Sequence, residues 1–136
     1  MSSDIERRFV EAFVTAPKRQ RLLDFFASPK ARWKALLELQ HFNGDIIDAR
    51  WAEPVTRAES TPESISQRLR QKGAPDDCYI FSNAPSLDRR SMLLADAIQA
   101  VHGVGCGTVI SCIPGALAFF EGELFPDEHI LHRTKT

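Results

Sequence analysis

The sequence predicts an α+β fold: N-terminal helices packed with a small mixed or antiparallel sheet of 3–4 strands that ends in a C-terminal β-hairpin. Three observations carry this expectation. Residues 1–43 place apolar side chains at helical spacing between helix-start signals. Residues 44–123 alternate period-two segments with two further helical stripes, the pattern of an α/β part. Pro114-Gly115 then separates two apolar, strand-like runs, as a hairpin requires. At 136 residues the chain is long enough for one domain and no more, so 1–136 is read as a single unit with 124–136 as a mixed tail.

In chain order, Ile5, Phe9, Ala12 and Phe13 share a helical face after the cap candidates Ser2 and Ser3. Pro17 opens a second helix carrying Leu22, Leu23, Phe25 and Phe26. Ser28-Pro29 is a restart signal, and the third helix is expected to turn Trp33, Leu36, Leu37 and Gln40 toward the core and to end at Asn43-Gly44. Ile47, Ala49 and Trp51 alternate with Ile46, Asp48 and Arg50, which predicts a half-buried strand followed by a loop over 52–60. Thr61-Pro62-Glu63 starts a short helix through Ile65 and Leu69 that Gly73 closes. Residues 77–82 form a strand with Tyr79 and Phe81 on one face and Cys78 and Ile80 on the other.

After the next loop, Asp88 is the expected N-cap of a helix, with Leu87 and Met92 as its hydrophobic staple and Leu94, Ile98 and Val101 as its core stripe. Gly103, Gly105 and Gly107 end that helix and lead into a strand over 108–113. A two-residue turn at Pro114-Gly115 would set Val109 opposite Phe120, Ile110 opposite Phe119 and Cys112 opposite Leu117. Both faces of the hairpin would then be apolar, so it belongs in the middle of the sheet.

Composition is that of an ordinary globular protein, 43% hydrophobic and 26% charged. The longest apolar run, residues 116–120, falls far short of the roughly 20 residues a membrane helix needs, so no membrane partner is expected. The first residues carry no apolar stretch of the secretory kind, and Cys78, Cys106 and Cys112 are an odd set without a CxxC pair. Together these point to reduced thiols and a cytoplasmic location. The net charge of −1 hides an asymmetry: residues 1–34 carry eight basic and four acidic groups, the remainder nine basic and fourteen acidic. Such a basic N-terminal part is either a face for an acidic partner or a set of solvated helix faces.

Four arrangements are candidates for chemistry. Loop 82–90 joins a strand to the expected helix, where free backbone N–H groups favour anions, so Ser82, Asn83, Ser86, Arg89 and Arg90 are candidate ligands for phosphate or carboxylate. Arg89 and Arg90 would oppose the helix dipole there, and either Asp88 or a bound anion must offset them. His102 and Cys106 form a candidate imidazole–thiol pair, although a cysteine after a helix C-terminus meets partial negative charge. The glycines of 102–107 run from helix into strand, the wrong polarity for a phosphate loop. His41, His129 and His132 and the cysteines lack ligand spacing, so no metal and no cofactor is expected.

Lys18, Arg19, Arg21, Lys30, Arg32 and Lys34 on two consecutive helices suggest a helix-turn-helix, but the near-neutral chain and the Pro29 junction argue against nucleic acid. Phe9, Phe13, Phe25, Phe26, Trp33 and Phe42 are many large side chains for so small a set of helices, and some are expected to face a partner. The functional expectation is a cytosolic, non-enzymatic binding or interaction module whose partner is another protein or a second copy of the chain. The alternative is a small-anion binding protein or enzyme built on loop 82–90.

Overall fold

Helical spacing in the N-terminal part becomes helix, and the period-two segments from residue 77 onward join one sheet. A computed structural model describes residues 2–124 and 127–133. Helices α1 (Ser2–Phe13), α2 (Ala16–Ala27) and α3 (Arg32–Glu38) come first. Strand β1 (Ala52–Pro54), helix α4 (Pro62–Gln71), strands β2 (Asp77–Ser82) and β3 (Arg90–Leu93) and helix α5 (Leu94–Val101) follow. Strands β4 (Thr108–Ile113), β5 (Leu117–Glu121) and β6 (Glu128–His132) complete the order. The α+β class holds, but the sheet has six antiparallel strands in the order β1-β6-β5-β4-β2-β3, not three or four.

Both faces of the sheet are covered. Tyr79, Phe81, Val109, Ala118, Phe120 and Leu131 meet α1, α2 and α3 through Phe9, Val10, Phe13, Leu22 and Leu36. On the other face Ile80, Ile110, Leu117, Phe119 and Ile130 meet α4 and α5 through Ile65, Leu69, Leu94, Ile98 and Val101. Strands buried on both faces lose the polar half of their alternation, which is why β4 and β5 read as nearly continuous apolar runs. The expected pairs Val109–Phe120 and Ile110–Phe119 form; a bulge at Cys112 then sets Ile113, not Cys112, opposite Leu117.

Four local expectations change. Residues 124–136, read as a tail, contain β6, an interior strand between β5 and β1; Ile130 and Leu131 bury on opposite faces, and flanking polar residues hid the pattern. Residues 45–51 hold only an isolated bridge of Ile47 with Val14 and a short 3-10 turn, and the strand begins at Ala52. The helix expected from Asp88 begins only at Leu94, because residues 90–93 pair with 77–80 instead. Helix α3 ends at Glu38 and turns Arg32, Ala35 and Leu36 inward, leaving Trp33 58% and Leu37 52% exposed. By contrast, the Thr61 hydroxyl caps α4 by accepting from Ser64 N–H, and Gly73 closes it at φ 102°, a conformation that favours glycine.

The rotation of α3 follows from one buried charge. Arg32 Nη1 donates to Glu6 Oε1 at 2.6 Å, and its Nη2 and Nε donate to the two oxygens of Asp88 at 2.7 and 3.3 Å. Tyr79 Oη donates to Glu6 Oε2 at 2.8 Å and Ser82 N–H to Asp88 Oδ1 at 3.0 Å, so both carboxylates are held again from the sheet. Burial opposes the guanidinium's charge, but the bonds to Asp88 and Glu6 more than reverse it and raise its pKa. Removing one partner from such a cluster leaves buried charge uncompensated. Arg32→Met is therefore expected to cost about 3–5 kcal/mol in urea unfolding, whereas a loss under 1 kcal/mol would show that water screens the two carboxylates.

Candidate functional site

Loop 82–90 runs from strand to strand, between β2 and β3, so no helix starts from it. Its first residues are committed to holding the fold. The Ser82 hydroxyl lies 2.7 Å from Thr108 Oγ1 and accepts from Ala84 N–H, and the residue is fully buried. Asn83 Nδ2 donates to the Leu36 carbonyl at 2.7 Å, tying the loop to α3, and its N–H donates to the Gly107 carbonyl. Ser86, Arg89 and Arg90 are exposed. Arg89 has φ 65°, a left-handed conformation that costs an L-residue roughly 1–2 kcal/mol. Among the described residues neither arginine has a carboxylate partner. The structure thus divides the five candidates into a buried anchor (Ser82), a half-buried one (Asn83) and three solvent-facing side chains.

His102 and Cys106 are separated in role as well. A polar row crosses the sheet in register, from Ser82 to Thr108, Glu121 and Glu128, all buried on the α4–α5 face. Loop 102–107 lies over its end. Gly103 and Gly105 N–H donate to Glu121 Oε1 and Oε2 at 3.0 and 3.3 Å, so the glycines that end α5 also cradle a carboxylate. His102 Nε2 stands 2.9 Å from Ser60 Oγ and 3.5 Å from Glu128 Oε2, while the Ser60 hydroxyl donates to Glu128 Oε1 in a short bond. Cys106 contributes its carbonyl, which accepts from Thr108 Oγ1. Burial drives the Cys78 thiol up to about 11 and the Cys112 thiol up to about 12, which keeps both protonated.

Burial, and then the contact with Glu128, push Glu121 up to about 8 against the opposing pull of the two glycine N–H groups. Chemically this is a pair of buried carboxyls on neighbouring strands, Glu121 and Glu128, enclosed beneath a glycine loop and closed at its outer end by Ser60 and His102. Composition gave no hint of it. One sequence signal exists: Glu121 continues the parity of Leu117 and Phe119, so an acid falls where the strand pattern demands a buried residue.

Two surfaces remain open. On α3, Trp33 and Leu37 stand one turn apart and exposed, with Lys34 Nζ 5.8 Å from the Trp33 ring and 5.7 Å from the half-buried Phe25. At the far corner of the sheet a groove of about 530 Å³ opens beside the N-terminal part of α1. Tyr79, Ser91 and Ser111 form its floor in one cross-strand row, with Ile5, Met92 and Pro114 as apolar walls. Ser111 is only 3% exposed, yet its hydroxyl has no hydrogen-bond partner among the described residues.

No family model, curated protein or solved structure matches the chain. Among the described residues no helix is long and apolar enough to cross a membrane, and no three His, Cys, Asp or Glu side chains could hold a metal ion together.

The carboxyl pair sets a pH dependence. Glu121 binds its proton more tightly folded than unfolded, so its contribution is complete below the ordinary carboxylate value of 4.5 and is lost as pH rises through about 8. Thermal melts across pH 5–9 are expected to show this decline in the wild type and a flatter profile in Glu121→Gln; identical profiles would show that Glu121 does not carry it.

Proposed function

We propose that the protein is a non-enzymatic cytoplasmic interaction module that binds an acidic, partly apolar protein segment through the outer face of α2 and α3. The observation that carries this is the exposure of Trp33 and Leu37, side chains whose burial would have been favourable and whose helix has a core-facing side already filled. Large aromatic side chains with cations beside them are the usual anchors of protein interfaces. Lys30 and Lys34 have no ion-pair partner among the described residues, in contrast to Arg21, which pairs with Glu38 at 2.7 Å. That free positive charge beside an apolar pair favours an acidic partner.

The enclosure of Glu121 and Glu128, and the commitment of Ser60, Ser82 and Thr108 to protein partners, support binding over catalysis. A reducing compartment suits three free thiols, two of them buried.

The test is capture from a native extract by the wild type and by a Trp33→Ala/Leu37→Ala variant, followed by titration of whatever is retained. Both substitutions are exposed, so unfolding should stay within about 0.5 kcal/mol of wild type. The affinity for the captured partner should fall about 30-fold, the effect of losing one hot-spot residue of about 2 kcal/mol. Equal affinity in both proteins would refute the surface.

A second reading is kept for one specific observation: Arg89 holds a strained backbone and, with Arg90, presents unpaired positive charge beside Ser86. On that reading loop 82–90 binds phosphate or a carboxylate. Inorganic phosphate should then raise the melting temperature of the wild type, and Arg89→Gly should abolish that rise while itself stabilising the protein by about 1 kcal/mol. A wild-type melt unmoved by phosphate would dispose of it.

A further inference from the structure

Strand β3 is the outer strand on one side of the sheet, and its Arg90, Ser91 and Leu93 are exposed. Leu94 N–H donates to the Asp76 carbonyl at 2.6 Å. In the antiparallel register of β3 with β2, this places residues 90, 92 and 94 in the hydrogen-bonded pairs. The backbone N–H and C=O of Ser91 and Leu93 therefore point away from the sheet. β3 is short and begins with Arg90, but it carries no proline and no bulge, and its apolar Leu93 is 54% exposed. The opposite edge differs, since β1 is three residues long and ends in Pro54, which has no N–H to offer.

The open edge is complementary to itself. If two β3 strands meet antiparallel about a two-fold axis at Met92, Ser91 lies opposite the partner's Leu93, and each of these two pairs exchanges two backbone hydrogen bonds. Ser91 and Leu93 share the α1 side of the sheet, with Tyr79 and Asp77, their partners on β2. The partner's Leu93 thus arrives beside Ser91, at the lip of the groove floored by Tyr79, Ser91 and Ser111. On the α5 side, Arg90 falls beside the partner's Leu94 and the start of its α5, whose first turn carries the exposed Asp96. Neither Arg90 nor Asp96 has an ion-pair partner within the described chain, and the two-fold brings the opposite charges together twice. Apolar knob, receiving groove, backbone groups and charges all come from one chain, so the occupant that fits is a second copy.

We propose that two copies of this chain associate through their β3 strands, antiparallel about Met92, extending the sheet to twelve strands and seating each Leu93 at the groove of the other. This surface is distinct from the Trp33–Leu37 face, so each proposal stands or falls by itself. A four-residue edge with one apolar anchor makes a small interface, and the association belongs in the weak, micromolar range.

Sedimentation velocity over roughly 10–500 µM chain, spanning that range, reads it directly. The wild type should pass from monomer to dimer, Leu93→Lys should remain monomeric, and Trp33→Ala/Leu37→Ala should dimerise as the wild type does. Ser91→Pro, which removes an outward N–H from an edge position, is a second disrupting variant should Leu93→Lys fail to fold. In the proposed register Met92 meets its own copy across a non-hydrogen-bonded pair, with Cα atoms about 4.5 Å apart, within disulfide reach. Met92→Cys in a Cys106→Ser background should therefore cross-link between copies under copper-phenanthroline oxidation, while Cys106→Ser alone, with Cys78 and Cys112 buried, should not. A monomer at every concentration overturns the proposal and leaves the edge to a strand from another protein. So does a dimer that survives Leu93→Lys, or a Met92→Cys protein that stays uncross-linked.

Discussion

The buried guanidinium of Arg32 is the constraint on which the rest of the arrangement depends. A charge inside a protein is tolerated only when its hydrogen-bonding capacity is met, and here two carboxylates and a fork of three N–H groups meet it. Because Glu6 lies on α1, Asp88 in the β2–β3 loop and Arg32 on α3, one cluster ties three segments far apart in sequence. Its consequences spread outward. With Arg32 turned inward, helical geometry turns Trp33 and Leu37 toward solvent. With Asp88 drawn to Arg32 and Ser82, it no longer caps a helix, and residues 90–93 go to the sheet edge.

The second ordering element is the polar row beneath the glycine loop. Hydroxyls and carboxyls cross four strands at one level of an otherwise apolar layer, and each finds its partner within the protein. The hydroxyls of Ser82 and Thr108 satisfy each other and nearby backbone. Glu121 takes up the free N–H groups left where α5 ends, and Ser60 and His102 close the row near Glu128. Glu121 also locks the 102–107 loop to the sheet through the N–H groups of Gly103 and Gly105. The same chemistry explains why Cys106, despite standing four residues from His102, is joined to the row through its backbone carbonyl.

The two surfaces proposed for binding lie away from this buried row. The α3 face offers an aromatic and an aliphatic side chain beside free lysines, and the β3 edge offers backbone groups beside a groove. The first suits an acidic segment of another protein and the second suits a copy of this one. The two surfaces lie on separate elements, so a dimer built on β3 would present two α3 faces, and weak affinity at each could be raised by engaging both.

By itself the sequence determined what short-range physics controls. Pro17 and Thr61-Pro62 placed the starts of α2 and α4, Gly73 placed an end, and period-two runs placed β2, β4 and most of the β4–β5 register. It also specified the α+β class, since helical and strand periods occupy separate stretches. Tertiary structure decided the rest, because the competing terms there are non-local. Whether Asp88 caps a helix or pairs with Arg32, 56 residues away, depends on where α3 lies. Whether Trp33 or Arg32 faces inward depends on the presence of two carboxylates that no local pattern reveals. Residues 128–132 become a strand because β5 and β1 flank them, which supplies hydrogen bonds that their own mixed pattern could not announce. Local preference is worth tenths of a kcal/mol per residue, and a satisfied buried charge or a completed sheet outweighs it.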